Sequence, residues 1–424
     1  MSPLDSPRLS PVGFAPADIS RLVNRPVVAE HVDQAAALWT RRDRAVNAPH
    51  FKLHHLARLD ERLHAHLEGV RTAADTGWQL ACRALESGEA GACFLVAWLA
   101  FQAQSPDRMR LALQCGLATK AHTDALVAAL AWIAPSRLQA PLDRLARSSV
   151  AAHRRLQLAA AAANRIDGGG CIADAVNDPD AVLRARALRA IGECKRADLA
   201  DAARAAQDDT DPACRHWAAW SLVVLGEPTA PAQLLAARDG VPGRTRQAVE
   251  HAVRGDDPLA GRELVRLLAG DAATLRLGIV AAGALGDPAV VPWLLQAMDQ
   301  PLHARVAGES FAMITGADLD LDSLKRDAPA GAEDAPGDPE DEDLPWPQVE
   351  AAAAWWHGQR ERFTFGMRYL AGRPVSTGAL VSVLSEGYQR QRAAAAFELA
   401  RTVPGATLFA TAARADWQKH RLAA

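Results

Sequence analysis

Six arginines recur about every thirty residues in this sequence, and their side chains are its best candidates for ligand chemistry. A guanidinium is always charged and has five donors, so a row of them on one face can bind an anionic partner. The same groups can instead donate to capping carboxylates and free carbonyls at the helix ends of a neighbouring repeat. We expect this second, structural role, because Asp178 and Asp209 directly precede two of the predicted helices. The six residues, here called the arginine ladder, are Arg154, Arg184, Arg215, Arg246, Arg276 and Arg305.

Five histidines lie close together in the sequence and raise the question of a metal site. His50 and His54 are four residues apart, a spacing that can place two metal ligands on one helix face. Pro49 interrupts that helix, however, and His64 and His66 are two residues apart, so they do not share a face. The sequence therefore predicts surface or core histidines and no metal site. The cluster consists of His50, His54, His55, His64 and His66.

Tryptophans are the candidates for contact with a partner. Trp217 and Trp220 are three residues apart and share a helix face, which is typical of core packing, and we expect the same of Trp293. Trp355 and Trp356 are adjacent, so their side chains point to different faces of a helix. We therefore expect one of this pair to be exposed and to contact a partner.

Other groups lack the neighbours that catalysis or cofactor binding needs. The glycines at 168–170 are not followed by the Lys-Ser/Thr of a phosphate-binding loop. No G-x-S-x-G occurs, and none of the six cysteines stands in a nucleophile motif. The carboxylates of 338–343 lack the order of a calcium-binding loop. The sequence predicts no catalytic residue, no metal and no cofactor, and we expect the chain not to be an enzyme.

The arginine ladder requires elements that repeat with it. Apolar or small residues follow each arginine at helical spacing, and turn signals such as Gly286-Asp287-Pro288 separate the units. Repeats of about thirty residues are helical hairpins that bury their faces on their neighbours. No stretch alternates apolar and polar residues long enough for a sheet. The predicted fold class is all-α, an α-solenoid with an N-terminal helical region and a C-terminal helical cap.

Changes in composition along the chain set the predicted domain boundaries. Proline and serine dominate the start, and acidic residues with proline and glycine follow the last regular repeat, where we expect solvated charge. The final region contains one more match to the repeat pattern, so we expect a divergent repeat to cap the solenoid. The predicted parts are a disordered tail at 1–25, an N-terminal helical region at 26–104, the solenoid at 105–316, an acidic loop at 317–346 and the cap at 347–424.

Composition limits the classes of function. Hydrophobic residues at 49% and charged residues at 23% are typical of soluble proteins, and a net charge of −3 implies neither nucleic acid nor an acidic membrane as partner. The longest apolar run, 90–101, is too short to cross a bilayer, and the first residues do not have the order of a secretory signal. Scattered single cysteines fit reduced thiols, so we expect a cytoplasmic protein. Abundant alanine and scarce lysine indicate a bacterial gene.

Three segments carry a resemblance to a known family. They are LARLDERLHAHLEGVRTA, GDPAVVPWLLQAMDQPLHARVAGESFAMITG and GRPVSTGALVSVLSEGYQRQRAAAAFELA. Together they resemble an uncharacterised proteobacterial family of HEAT-like repeats, over nearly the whole chain. Genes of that family are often found near type VI secretion loci, which implies an accessory or adaptor role and assigns no activity. The repeats are also similar to the short HEAT-like repeats of bilin lyase-related proteins.

The resulting hypothesis is a non-catalytic scaffold or adaptor that binds a protein, namely an effector or spike component of type VI secretion. We expect its binding surface beside the arginine ladder, on the shorter helices and the flanking regions. Two alternatives remain open. A HEAT-like nucleic-acid-binding protein needs a continuous basic channel, which the balanced charge does not favour. A bilin lyase-like enzyme would take up a tetrapyrrole.

Overall fold

The computed structural model describes residues 23–166, 170–237, 242–329 and 338–423, and over these ranges the chain is an all-α solenoid. The predicted fold class is therefore confirmed. Residues 1–22 of the predicted tail lie outside the described residues, as do Gly168 and Gly169. The chain divides into two compact units, 1–41 with 61–129 and 42–60 with 130–424.

The first unit is built around one apolar helix. Every residue from Gly91 to Phe101 of that helix, α4, is buried, and Phe94 stacks on Trp39 with ring centroids 5.1 Å apart. Residues 105–129, which the repeat pattern assigns to the solenoid, belong to this unit because α4 packs along α5. Within the described ranges no helix combines the length and apolar character needed to cross a membrane. The helices are α1 (Arg25–Ala45), α2 (Leu53–Thr72), α3 (Ala74–Ala84), α4 (Ala90–Ala103), α5 (Pro106–Gly116) and α6 (Lys120–Ala131).

The second unit holds the regular repeats. In each repeat a first helix carries one residue of the arginine ladder, and the first helices of successive repeats pack against each other. After α7 (Pro135–Ala146), the first helices are α8 (Ala151–Ala163), α10 (Ala181–Glu193), α12 (Pro212–Leu225), α14 (Pro242–Gly255), α16 (Leu275–Leu285) and α18 (Ala304–Thr315). The second helices are α9 (Cys171–Ala175), α11 (Ala200–Ala205), α13 (Ala230–Ala236), α15 (Pro258–Ala269) and α17 (Val291–Ala297).

Residue types at the helix ends explain where the repeats start and stop. The carboxylates of Asp180 and Asp211 accept backbone N–H groups in the first turns of α10 and α12, at 2.8 and 2.9 Å. Gly226, Gly286 and Gly316 end α12, α16 and α18 with φ of +91°, +75° and +73°. Glycine adopts this left-handed conformation without strain, so it stops each helix sharply.

The remaining residues form four helices and two small strand pairs. The helices are α19 (Val349–Gln359), α20 (Thr377–Glu386), α21 (Gln389–Thr402) and α22 (Ala415–Ala423). The antiparallel pairs are β1 (Lys325–Arg326) with β2 (Trp346–Pro347) and β3 (Tyr369–Leu370) with β4 (Arg373–Pro374). The sequence did not predict these strands, because two residues are too few to produce a visible alternation of apolar and polar side chains.

Candidate interaction surfaces

Arg154 and Arg184 of the arginine ladder connect neighbouring repeats, whereas Arg215 binds carbonyls just before its own helix. Arg184 donates from Nη1 to two carbonyls just before its own helix, at 2.8 and 3.1 Å. Its Nε and Nη2 donate to both carboxylate oxygens of Asp209 in the next repeat, at 2.9 Å each, and this hydrogen bonding lowers the pKa of Asp209. Arg154 donates similarly to two carbonyls and to Asp178, and Arg215 donates to two carbonyls before its helix. These donors hold the array together.

The last three residues of the arginine ladder contact one segment, 338–346. Arg276 donates from Nη2 to Asp341 at 2.5 Å, and Asp341 is only 3% exposed. Burial raises the pKa of Asp341 although Arg276 is adjacent. Arg246 donates from Nη1 to the carboxylate of Glu340 at 3.1 Å. The guanidinium of Arg305 lies over the ring of Trp346, 5.0 Å from its centroid. This half of the ladder is covered by the chain itself.

The prediction of solvated charge in the acidic loop 317–346 is wrong for Asp338, Glu340 and Asp341, which pair with ladder arginines. Other acidic residues of its described part are exposed, namely Asp320, Asp322, Asp327, Glu342 and Asp343. Residues 338–346 pack against the array, and β1 pairs with β2 beside them. Composition reports that a segment is acidic, but it does not show that arginines elsewhere in the chain lie opposite its carboxylates. Residues 330–337 of the loop lie outside the described residues.

Glu309 on α18 joins the ladder to α21. Its carboxylate accepts hydrogen bonds from Arg246 at 2.8 Å and from Arg390 at 2.7 Å, and its side chain is largely buried. Arg390 also donates to the carbonyl of Glu340 at 2.9 Å. Burial alone would raise the pKa of Glu309, but the two guanidiniums lower it. The group therefore stays charged and ties three parts of the second unit together.

The C-terminal residues lie along the ends of several first helices. Helix α21 packs along α12 and α14 of the array. Arg392, in the repeat pattern of this region, is fully buried and donates to the carbonyl of Leu384 at 2.7 Å. That this region is a divergent repeat stays a prediction. Three backbone N–H groups of this region donate to carbonyls at helix ends: Gly372 to Ile314, Tyr369 to Gly286, and Leu408 to Glu193. In a fourth contact the ammonium group of Lys195 donates to the carbonyl of Ala400.

His251 on α14 forms the centre of the contact with α21. Its ring stacks on Phe397 at 3.8 Å, and its Nδ1 accepts a hydrogen bond from Trp220 Nε1 at 2.7 Å. Burial of the ring, with the charge of Arg254 nearby, lowers the pKa of His251 to about 3. The imidazole is therefore neutral at physiological pH, as the hydrogen bond from Trp220 requires.

A small cleft opens where α18 ends and α21 begins. Its walls include the apolar side chains of Met313, Leu319 and Leu344. At its edge Tyr388 donates from its hydroxyl to Asp318 Oδ2 at 2.5 Å, and burial together with this bond raises the pKa of Tyr388. The cleft offers an apolar surface with acceptors at its rim, which suits a side chain of a protein partner.

The histidine cluster divides into residues with a polar neighbour and residues that face solvent. Among the described residues no three His, Cys, Asp or Glu come close enough to hold a metal ion. His55 Nδ1 accepts the N–H of Lys52 at 3.2 Å, and His66 Nδ1 lies 3.0 Å from His31 Nδ1. His50, His54 and His64 are exposed. Burial raises the pKa of the Cys93 and Cys214 thiols to about 12, so they stay protonated.

The prediction that Trp355 or Trp356 is exposed is wrong. Trp356 is buried beside Phe363, with ring centroids 5.3 Å apart, and Trp355 meets Phe311 edge-on at 5.7 Å. Adjacent residues differ in direction by about 100° on a helix, and the packed face of α19 is wide enough to include both tryptophans, whereas Glu350, Ala354 and His357 are exposed. The other tryptophans also pack: Trp220 is buried, and Trp217 and Trp293 are partly buried against the core.

Several residues that shape the surface carry no signal that sequence reasoning can read. Arg390 meets Glu309 across 81 residues of the chain, and Asp341 meets Arg276 across 65. Asp287 was visible as part of a turn signal, but its side chain also binds Arg262 and the N–H of Gly366. A turn signal predicts the local conformation and does not identify a distant partner.

Comparison with known proteins identifies the repeats. Residues 172–254 match the family of HEAT repeats, a span that runs from α9 to α14 and includes Arg184, Arg215 and Arg246. HEAT repeats generally mediate protein–protein interaction, which is consistent with a scaffold. No curated protein matches the chain.

Proposed function

We propose, from the match to HEAT repeats, that this chain is a non-catalytic adaptor that binds another protein. The observation that carries the proposal is the repeat array, because such arrays offer extended surfaces that bind through area and a few anchor residues. The arginine ladder also supports a protein partner over nucleic acid. Its guanidiniums are engaged with carbonyls, carboxylates and an aromatic ring of the same chain, so they do not offer a basic channel for nucleic acid.

The resemblance of three segments to a HEAT-like family encoded near type VI secretion loci motivates a narrower proposal. The adaptor acts in the cytoplasm as an accessory of type VI secretion, and its partner is an effector or a spike component. The cleft beside Tyr388 and Asp318 is one place where a side chain of the partner fits.

Affinity purification of the tagged full chain from its native organism, after mild crosslinking, tests the proposal. We expect one or a few proteins to co-purify in stoichiometric amounts, with components of type VI secretion among them. The adaptor proposal fails if no protein rises above an untagged control. Binding of the purified chain to duplex DNA at low salt, or visible absorbance after incubation with a tetrapyrrole, would instead favour the other two classes of function.

A further inference from the structure

Residues 338–341, called the acidic turn below, are held on the array by polar contacts alone. The only apolar side chain among them is that of Pro339, and it is exposed. The carboxylate of Asp338 caps the turn by accepting the N–H of Glu340 at 2.9 Å. The two residues that follow the turn are exposed, and only Leu344 after them is buried. The acidic turn can therefore leave its site without exposing an apolar side chain of its own.

The base of the surrounding loop is fixed without the acidic turn. In the pair of β1 with β2, Arg326 lies opposite Trp346, and the N–H of Gln348 donates to the carbonyl of Leu324 at 2.7 Å. These contacts tether the acidic turn close to its site even when its own contacts break. A tethered segment competes with a free ligand at an effective concentration that can reach about millimolar.

Arg276, the second residue of α16, is the centre of the site that the acidic turn occupies. Its Nη2 donates to Asp341 at 2.5 Å, and its Nε lies 3.3 Å from Asp338 Oδ2. Within the described ranges no other carboxylate pairs with Arg276. The positive end of the α16 dipole adds to the charge of this guanidinium. The site therefore favours an anionic group.

An earlier repeat shows how a ladder arginine is neutralised from within the array. Asp209, 25 residues after Arg184, accepts hydrogen bonds from both Nε and Nη2 of that arginine. The residue 25 positions after Arg276 is Pro301, which has no carboxylate. At this repeat the acidic turn supplies the negative charge that the next repeat does not supply.

Two buried nitrogens at this site have no hydrogen-bond partner among the described residues even with the acidic turn in place. They are Arg276 Nε and Nδ1 of His303, whose residue is 8% exposed. Burial and the charge of Arg276 lower the pKa of His303, and the charge of Asp341 raises it, so the three groups are close neighbours. Buried polar atoms without a partner cost free energy. The acidic turn is therefore an incomplete ligand for the site.

The neighbouring ladder arginine keeps its charge partners when the acidic turn leaves. Arg246 donates to Glu250 at 3.0 Å and to Glu309 at 2.8 Å, in addition to Glu340 of the turn. The first two bonds do not involve the turn. The charge that loses its partners is that of Arg276, so the open site selects an acidic group.

We propose that the acidic turn is an internal competitor, which occupies the binding site for an acidic segment of the partner protein. In the complex, carboxylates of the partner replace Asp338 and Asp341 on Arg276. The acidic turn moves into solvent about residues 342–343, while β1 and β2 stay paired. The inference rests on the adaptor function, and it specifies where the partner binds and what restrains its binding.

Fluorescence anisotropy with a labelled peptide and the full chain tests this proposal. The peptide has the sequence of residues 338–343, Asp-Pro-Glu-Asp-Glu-Asp, and its neutral counterpart has Asn and Gln in place of Asp and Glu. The double variant Asp338→Asn/Asp341→Asn removes both charges from Arg276 and preserves the size of the side chains. We expect the acidic peptide to bind this variant at least tenfold more tightly than the parent, because the internal competitor is weakened. The neutral peptide should bind neither protein.

A second double variant, Glu342→Gln/Asp343→Asn, is the matched control. It removes two charges from exposed neighbours of the turn and should bind the acidic peptide no better than the parent. Adding Arg276→Ala to the first double variant should abolish its gain. Circular dichroism melts establish that each variant is folded. If the first double variant does not fold, Asp338→Asn alone should still give a smaller gain in affinity.

The proposal is wrong if the folded variants at 338 and 341 bind the acidic peptide no more tightly than the parent. It is also wrong if the control at 342 and 343 gains as much affinity, or if the neutral peptide binds equally well. Affinity purification separates this inference from the adaptor function, since the variant at 338 and 341 should retain more partner than the parent. Equal co-purification without a gain in peptide affinity leaves the adaptor function standing and refutes the internal competitor. If the peptide binds but no protein co-purifies, the adaptor function itself fails.

Discussion

Replacing Gly286 by alanine should disrupt the contact between the array and the C-terminal residues. A Cβ at this position would lie 2.3 Å from the carbonyl oxygen of Tyr369, which belongs to the backbone and cannot rotate away. The N–H of Tyr369 donates to the carbonyl of Gly286 at 2.8 Å, so relieving the clash also breaks this bond. Left-handed φ costs alanine about 1–2 kcal/mol, and the lost, unsatisfied hydrogen bond costs about 1–3 kcal/mol more. We expect Gly286→Ala to reduce the free energy of unfolding by about 2–5 kcal/mol.

Gly226 provides the matched control for this prediction. It ends α12 as Gly286 ends α16, with φ of +91°, but a Cβ there would meet only the Arg401 carbonyl at an ordinary 3.7 Å. Gly226→Ala should therefore cost only the backbone strain, about 1–2 kcal/mol. Urea denaturation of both variants, followed by circular dichroism, measures the difference. Equal losses in the two variants would refute the close backbone contact between Gly286 and Tyr369.

Three further changes test the contacts within the array. Arg184→Ala removes the guanidinium that binds two carbonyls and a carboxylate. It should lower the free energy of unfolding by about 2–4 kcal/mol. A thermal melt equal to that of the parent would instead favour a role of Arg184 in binding a partner. Glu309→Gln removes the buried carboxylate that Arg246 and Arg390 share, although Glu250 and Glu340 still face Arg246, and it should cost about 1–3 kcal/mol. Glu263→Gln at an exposed pair should have little effect on the same denaturation curve. Burial and the nearby Arg254 lower the pKa of His251 to about 3 in the folded chain, against 6.5 in the unfolded chain. The unfolded chain therefore binds a proton more readily between these two values. The free energy of unfolding should fall as the pH falls from about 6.5 to 3, by at most about 1.4 kcal/mol per pH unit. His251→Gln keeps an acceptor for Trp220 and should reduce this slope in melts across that range; an unchanged slope would contradict it.

The fold was predictable because its signal is repeated along the chain. The ladder arginines, the capping aspartates and the helix-ending glycines each recur with the repeat, so several weak local preferences agree on one architecture. Asp209 illustrates this, since its place before α12 predicted contact with a ladder arginine and its carboxylate binds Arg184. Local pattern and tertiary contact coincide wherever the contact joins adjacent repeats.

Contacts made once, between distant parts of the chain, were not predictable in the same way. The acidic residues of 338–346 looked solvated because their partners, Arg246 and Arg276, are 65 to 94 residues away. The sequence predicted that one of Trp355 and Trp356 is exposed because adjacent residues point in different directions, yet both lie on the packed face of α19. Exposure depends on what covers an element, and that is a property of the whole second unit.

The exposed turn at Phe365 shows the opposite case. Its sequence, Thr364 to Met367, contains a glycine and two apolar residues and would pass for a loop with some core contact. The structure shows that the glycine N–H is bound to Asp287 and that Phe365 therefore projects into solvent. Only the tertiary hydrogen bond distinguishes an exposed residue from a core residue here.

Hydrogen–deuterium exchange of the full chain, with and without its co-purified partner, tests the central claim most directly. The claim is that a protein partner binds the repeat array while the C-terminal residues stay docked on the helix ends. Slower exchange should appear in solvent-facing residues of the array when the partner binds, with no change in 369–402. Faster exchange in 369–402 together with protection at the ends of the first helices would contradict the claim, because the partner would then displace the C-terminal residues.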